Sequence, residues 1–292
     1  MDWFSLSLIC ALSLATSDAF AKKYLSDYSA WELLLVRFFI PGILLIPWLI
    51  LYPIGDVPLV FWGWFALLMP LELLAMSLYV RAIRDAPLSQ TLPYLAFTPV
   101  FNIATGWIVL GEKLSLQGCL GILLVVGGAY FLNISQLKGN ATKNWLEPLK
   151  AITHQQGARR MLLAAFVYSI TSVGGKAAMA YVDPMSFGAL YFVVLGWLTV
   201  CVVAIAQPQA ISILKTKINW HLLVGGLMAV MVVTHFLALS MVETAYMIAI
   251  KRISMLFGIL YGAYLFHEHG LGRNVFAAVV MITGVGFILL GK

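Results

Sequence analysis

Trp107-Ile108-Val109-Leu110-Gly111-Glu112-Lys113 and Tyr264-Leu265-Phe266-His267-Glu268-His269 are two versions of one junction, in which an apolar run meets a carboxylate and a second, glycine-rich apolar run follows. The run after the first is Gly118 to Phe131, and the run after the second is Val275 to Leu290. Setting Glu112 against Glu268 brings Phe101 opposite Phe257, Gly106 opposite Gly262 and Gly128 opposite Gly284, and a small gap brings Lys22 opposite Lys176. The chain reads as an internal duplication.

Working outward from the two junctions, each copy divides at charges, Pro and Gly into apolar runs of the length that crosses a bilayer, about 20 residues. The first five runs lie near 3-21, 30-52, 58-80, 87-110 and 116-134, and the second five near 160-182, 186-206, 219-240, 244-266 and 273-290. The expected fold is all-α and integral to the membrane, with ten transmembrane helices as two five-helix repeats, 1-135 and 160-292, joined by a basic loop, 136-159. An odd number of helices per repeat makes the two copies cross in opposite senses, the inverted plan of many secondary transporters.

Composition points the same way. Of 292 residues 62% are apolar and 10% charged, too few polar groups to cover a soluble domain of this size. The chain's solvent is a lipid bilayer. Trp3 to Ala21 imitates a signal peptide, but Met1-Asp2 lacks the positive start that one needs. Cys10, Cys119 and Cys201 are widely spaced within apolar runs, which argues against disulfides and structural zinc. The i, i+2 spacing of His267 and His269 around Glu268 is no recognised metal site, and no cofactor is implied. The net charge of +6 is scattered through short loops and forms no stripe for nucleic acid. Lys22, Lys23, Arg81, Arg84, Lys138, Lys143, Lys150, Arg159, Arg160, Lys215, Lys217 and Arg273 fall in the odd-numbered loops, opposed by Lys113 and Lys292. Basic loops stay cytoplasmic, so both termini are expected outside the cytoplasm, in a cell (inner) membrane.

Thr98-Pro99-Val100-Phe101, then Leu110-Gly111-Glu112-Lys113-Leu114-Ser115 and a glycine-rich final helix, resembles the EamA-type branch of the drug/metabolite transporter superfamily, over nearly the whole chain. Ile250-Lys251-Arg252-Ile253 in the ninth run also looks like the Lys-Arg pair of the plastid triose-phosphate/phosphate translocators. That likeness implies a grip on a substrate phosphate by Lys251 and Arg252, and it carries over to no other position. Members of the superfamily usually look as though both termini are cytoplasmic, the reverse of what the loop charges give here.

Ionisable groups at membrane depth cost about 2.5 to 3.5 kcal/mol each on insertion scales, so each needs a partner, a wet cavity or a function. They are Asp18, Arg37, Glu72, Lys176, Lys251 and Arg252, with Glu32 nearer the interface. Internal pairing, for instance of Glu72 with Arg37 or Arg252 and of Asp18 with Lys176, leaves two cations over, and such a surplus in a low-dielectric cavity attracts anions. The fork of Arg252 suits a carboxylate or phosphate, while Lys251 supplies a point charge. Lys176 faces the cavity or snorkels to its helix end. Tyr94 and Asn102, with Thr98, Pro93 and Pro99, make the fourth run a candidate cavity wall or a packing kink. His235 and Thr234 are candidate ligands or ordinary helix-packing hydrogen bonders. The glycines near Gly121 and Gly284 suit close helix packing, and Glu112 and Glu268 suit capping of the helix that follows each.

These features predict a secondary transporter that moves a small organic anion, carboxylate- or phosphate-bearing, by alternating access between the two repeats, with a coupling ion or counter-substrate as a second ligand. The alternative is a flippase for a phosphate-bearing lipid or lipid-linked intermediate. No nucleophile with a base and no ATP-binding motif marks the chain as an enzyme or a pump.

Overall fold

The computed structural model describes residues 1–85, 94–135, 155–267 and 271–292. These are helical, with no strand among them. In chain order the helices are α1 (Trp3–Tyr24), α2 (Ala30–Leu51), α3 (Leu59–Asp85), α4 (Thr98–Leu110), α5 (Leu116–Ser135), α6 (Gln156–Ala178), α7 (Pro184–Ala206), α8 (Ile218–Met241), α9 (Thr244–Lys251), α10 (Ser254–Phe266) and α11 (Leu271–Gly291). Among the described residues seven apolar stretches are long enough to cross a membrane, with α9 and α10 together forming one of them, and shorter apolar helices lie at Thr98–Leu110, Leu116–Leu132 and Val275–Gly291. Ile50, Leu59, Ile108, Leu116, Tyr264 and Leu290 are largely exposed, a surface suited to lipid and not to water.

Helix starts follow from local chemistry. Asp183 accepts from the Met185 and Ser186 amides at 3.0 and 3.1 Å, ahead of Pro184 in the first turn of α7. Ser29 and Glu32 form a reciprocal capping box at the start of α2, which explains why Glu32 sits at a helix end. Further along α2, residues Leu35–Phe39 form a wide π-type turn that carries Arg37.

The chain forms two compact units, and each draws helices from both sequence halves. The first unit contains Met1–Phe61, Ala178–Met241 and Ile253–Glu268. Here α1 packs on α8, where Ser17 Oγ donates to the Val224 carbonyl at 3.2 Å, and on α10, where the Thr16 and Tyr261 hydroxyls meet at 2.7 Å. In the same unit α2 packs on α7 through two glycines: a methyl group at Gly42 would stand 2.7 Å from the Phe192 carbonyl oxygen, and one at Gly196 would stand 2.8 Å from that of Phe38.

The second unit contains Trp62–Ala177, Val242–Arg252 and His269–Lys292. Its helix α6 meets α3, with Leu68 and Trp64 against Gly174, and α4, with Phe101 edge-on to Phe166 at 5.5 Å. Here α5 and α11 touch backbone to backbone: a methyl group at Gly121 would come 2.6 Å from the Gly284 carbonyl oxygen, and the reverse distance is 2.7 Å. The expected close packing of these glycines is what the structure has, although Gly127 and Gly286 face open space.

The two copies share details of backbone geometry at matched sequence positions. Helix α4 begins after a break at Ala96-Phe97, and α10 begins after a break at Arg252-Ile253. In both, the residue closing the break receives the first two bonds of the next helix, from Val100 and Phe101 to the Phe97 carbonyl and from Leu256 and Phe257 to the Ile253 carbonyl. Both helices end on a left-handed residue, Gly111 at φ 67° and His267 at φ 51°, whose amide reaches back to Gly106 and Gly262 respectively. The break in the ninth run is a departure from the continuous helix that its composition suggests.

Candidate functional site

The candidate residues divide between the units. Arg37 and His235 lie in the first; Glu72, Tyr94, Asn102, Lys176, Lys251 and Arg252 lie in the second.

In the first unit the Arg37 guanidinium meets the Asp18 carboxylate at 2.5 Å, with the two side chains 29% and 50% exposed. Asp18 therefore pairs with Arg37 and not with Lys176. The π-type turn widens α2 at this point and sets Arg37 toward α1. His235 packs edge-on against Phe236 at 5.0 Å, and neighbouring Thr234 donates to the carbonyls of Val230 and Met231.

In the second unit the amino group of Lys176 donates to Glu112 Oε1 at 2.7 Å and to the Val242 carbonyl at 2.5 Å. The Glu112 carboxylate also accepts from the Thr244 amide at 3.0 Å and from the Thr244 hydroxyl at 3.0 Å. This corrects the expected role of Glu112, which caps α9 from another part of the chain and not α5, the helix that follows it. The left-handed cap at Gly111 turns the chain so that the carboxylate leaves α4 and points at the first turn of α9, where unpaired amides and the positive end of the helix dipole favour an anion. Glu268 and His269, its counterpart and neighbour in the second copy, lie outside the described residues. Lys22, the counterpart of Lys176, rests over the Phe266 ring at 4.5 Å.

Helix α9 ends on the cation pair. Lys251 is its last residue, and Arg252 closes it with its amide bonded back to Ala249 and Ile250. The Arg252 Nε is buried and has no hydrogen-bond partner, and among the described residues no acidic side chain pairs with its guanidinium. Its electrostatic neighbours are the phenols of Tyr168 on α6 and Tyr79 on α3. Tyr94 is fully buried, in a cluster with Ala82, Ala158 and Met161 that Tyr79 borders. Asn102 is likewise fully buried. Its Oδ1 accepts from the Ser172 hydroxyl at 3.1 Å, and its Nδ2 has no partner. Glu72 is half-buried on α3.

Two contributors escape the sequence reading. Thr244 and the Val242 carbonyl bind the Glu112–Lys176 pair, yet neither residue stands out in an apolar run. Counting Glu112 as a loop residue also hid an acid that is 9% exposed and neutralises Lys176.

A multi-pass helical chain with paired charges inside its spans, and helices interrupted at matched places, fits the build of a membrane transporter. The model of the EamA-like transporter family matches residues 1–134 and 156–290, and the chain belongs to that family. It is a transporter of small molecules and not an enzyme. A solved crystal structure is similar in fold over 99% of this chain and 97% of its own, with a TM-score of 0.74 at 16% identity. No curated protein matches the sequence.

Proposed function

We propose that the protein is a ten-span carrier of two inverted five-helix repeats, set in the cell (inner) membrane with both termini outside the cytoplasm, which moves a small organic anion by alternating access. The repeat reading is supported by the matched helix breaks and left-handed caps, and by exchanged packing: α1 rests on α8 and α10, while α6 rests on α3 and α4. Orientation rests on the basic residues of the odd-numbered loops.

The observation that carries the anion is Arg252. Asp18 answers Arg37 and Glu112 answers Lys176, whereas the Arg252 guanidinium stands at a helix break with a buried, unbonded Nε and two phenols for company. Leaving such a charge without a counter-ion costs several kcal/mol, a cost offset when a carboxylate or phosphate occupies the fork. Lys251 adds a second positive charge at the same break.

A thermal-shift screen of the purified protein against carboxylates, phosphorylated metabolites and lipid phosphates tests the reading, since a ligand stabilises by mass action. At least one soluble anion is expected to raise the melting temperature, and Arg252→Gln is expected to abolish that rise while the protein stays monodisperse. A rise with lipid phosphates alone would favour a flippase. A rise that survives in Arg252→Gln would remove the anion site.

A further inference from the structure

Helix α9 is eight residues long, about 12 Å at the rise of an α-helix, and it is secured in different ways at its two ends. Its C-terminal end is loose in the backbone sense, because the ladder breaks at Arg252-Ile253 and α10 starts afresh from the Ile253 carbonyl. Its N-terminal end is tied down by side chains from elsewhere in the second unit. Glu112 takes both donors of Thr244, Lys176 binds Glu112 and the Val242 carbonyl, and the buried Tyr246 hydroxyl accepts from the Ser115 amide at 3.3 Å. Glu112 is itself fixed by its amide, bonded to the Gly106 carbonyl at 3.2 Å across the left-handed Gly111.

A helix start in a packed protein is usually capped by the residue just before it. Glu243 occupies that place and makes no side-chain cap bond. The cap comes instead from a carboxylate far away in sequence, held against a lysine whose side chain is 20% exposed. A restraint centred on one ion pair can be undone as a unit, because losing either charge leaves the other without its counter-charge. Whatever shifts the first turn of α9 also shifts its last, since a two-turn helix moves as a rod. Its last turn carries Lys251 and leads into Arg252.

We infer that the Glu112–Lys176 pair is the latch of this half-helix: it positions Arg252 for the anion through α9 and has to open before α9 can move. The inference rests on the anion reading above. It makes Glu112 a positioning residue, one that touches no substrate itself.

The test uses the full-length protein in lipid nanodiscs, with hydrogen exchange of the 244–251 amides as one readout and the affinity for inorganic phosphate and for succinate as the other. Glu112→Gln is expected to speed exchange in 244–251 by about tenfold or more, to leave the α5 and α11 amides unchanged, and to weaken probe binding several-fold. Lys176→Met is expected to act in the same direction, and Glu112→Asp, which keeps the charge, to stay near wild type. Unchanged exchange in 244–251 would overturn the latch, as would an equal rise in every helix, which marks general destabilisation. Loosened α9 amides with undiminished probe affinity would overturn the positioning role. If the wild-type protein binds neither probe nor any member of the anion panel, the anion reading fails instead, and the exchange data alone decide whether the latch exists.

Discussion

Glu112–Lys176 and Asp27–Lys217 are the same chemical pair at nearly the same separation, 2.7 and 2.6 Å, in the second and first units respectively. Exposure separates them. The side chains of the Lys176–Glu112 pair are 20% and 9% exposed, and those of the Lys217–Asp27 pair 36% and 63%. Lys217 also reaches the Tyr24 carbonyl at 3.1 Å and sits over the Tyr28 ring at 5.2 Å, so its ammonium has several alternatives to the carboxylate, water included. Glu112 and Lys176 have few alternatives, and each would be left in a medium of low dielectric if its partner were removed. Distance alone says little about what an ion pair contributes; what surrounds the ions decides it.

The largest effect is expected from Lys176→Met, which leaves Glu112 buried without its counter-ion. Loss of one partner of a buried pair costs about 3 to 5 kcal/mol, so the melting temperature should fall steeply, and Glu112→Gln added to Lys176→Met should recover much of the loss. Thr244→Val keeps the amide bond to Glu112 and deletes only the hydroxyl bond. A fall of about 1 to 2 kcal/mol is expected, and a fall as large as that of Lys176→Met would mean that the cap, not the ion pair, secures α9.

Asp18–Arg37 lies between the extremes in exposure, and Asp18→Asn is expected to cost about 1 kcal/mol, with a dependence on salt that the Glu112–Lys176 variants lack. The smallest effect belongs to Asp27→Asn. The hydrogen bond from Lys217 holds the Asp27 carboxyl below its usual range. A carboxyl depressed in the folded state contributes its stability above its unfolded value, about 3.9, and loses it only as pH falls through the folded value. Melting curves of wild type and Asp27→Asn should therefore differ by a small, constant margin between about pH 5 and 8 and converge only at lower pH; a gap in that window as large as that of Lys176→Met would erase the contrast between the two pairs.

Features that depend on periodicity and length were open to reading: the apolar runs of the described helices, the turn before Glu112, and the glycines that bring α5 against α11. The break at Arg252-Ile253 was not, because Ile250-Lys251-Arg252-Ile253 contains neither Pro nor Gly and nothing local forbids a continuous helix. A signal existed only through the duplication, since the matching break at Ala96-Phe97 precedes Pro99. The partner of Lys176 was missed for a related reason. Composition places Glu112 at a span end, where water ordinarily solvates a carboxylate, and only the turn at Gly111 carries it back into the packed protein. Arg37 was visible as a charge in an apolar helix, but its pairing with Asp18 depends on a π-type turn that no residue pattern in Leu35–Phe39 announces.

The contact between Gly121 and Gly284 bears on how the molecule is made. Helix α5 leaves the ribosome long before α11, and on the face of α5 that carries Gly121 and Gly128 even one methyl group would collide with α11. During synthesis that face must wait in lipid until Leu271–Gly291 has been inserted, and Ser115, at the start of α5, gains its 2.5 Å bond to the Gly291 carbonyl only then. A chain stalled before Leu271 would hold α5 without its mate, giving the cell's quality control a bare small-residue surface by which to tell an unfinished molecule from a finished one.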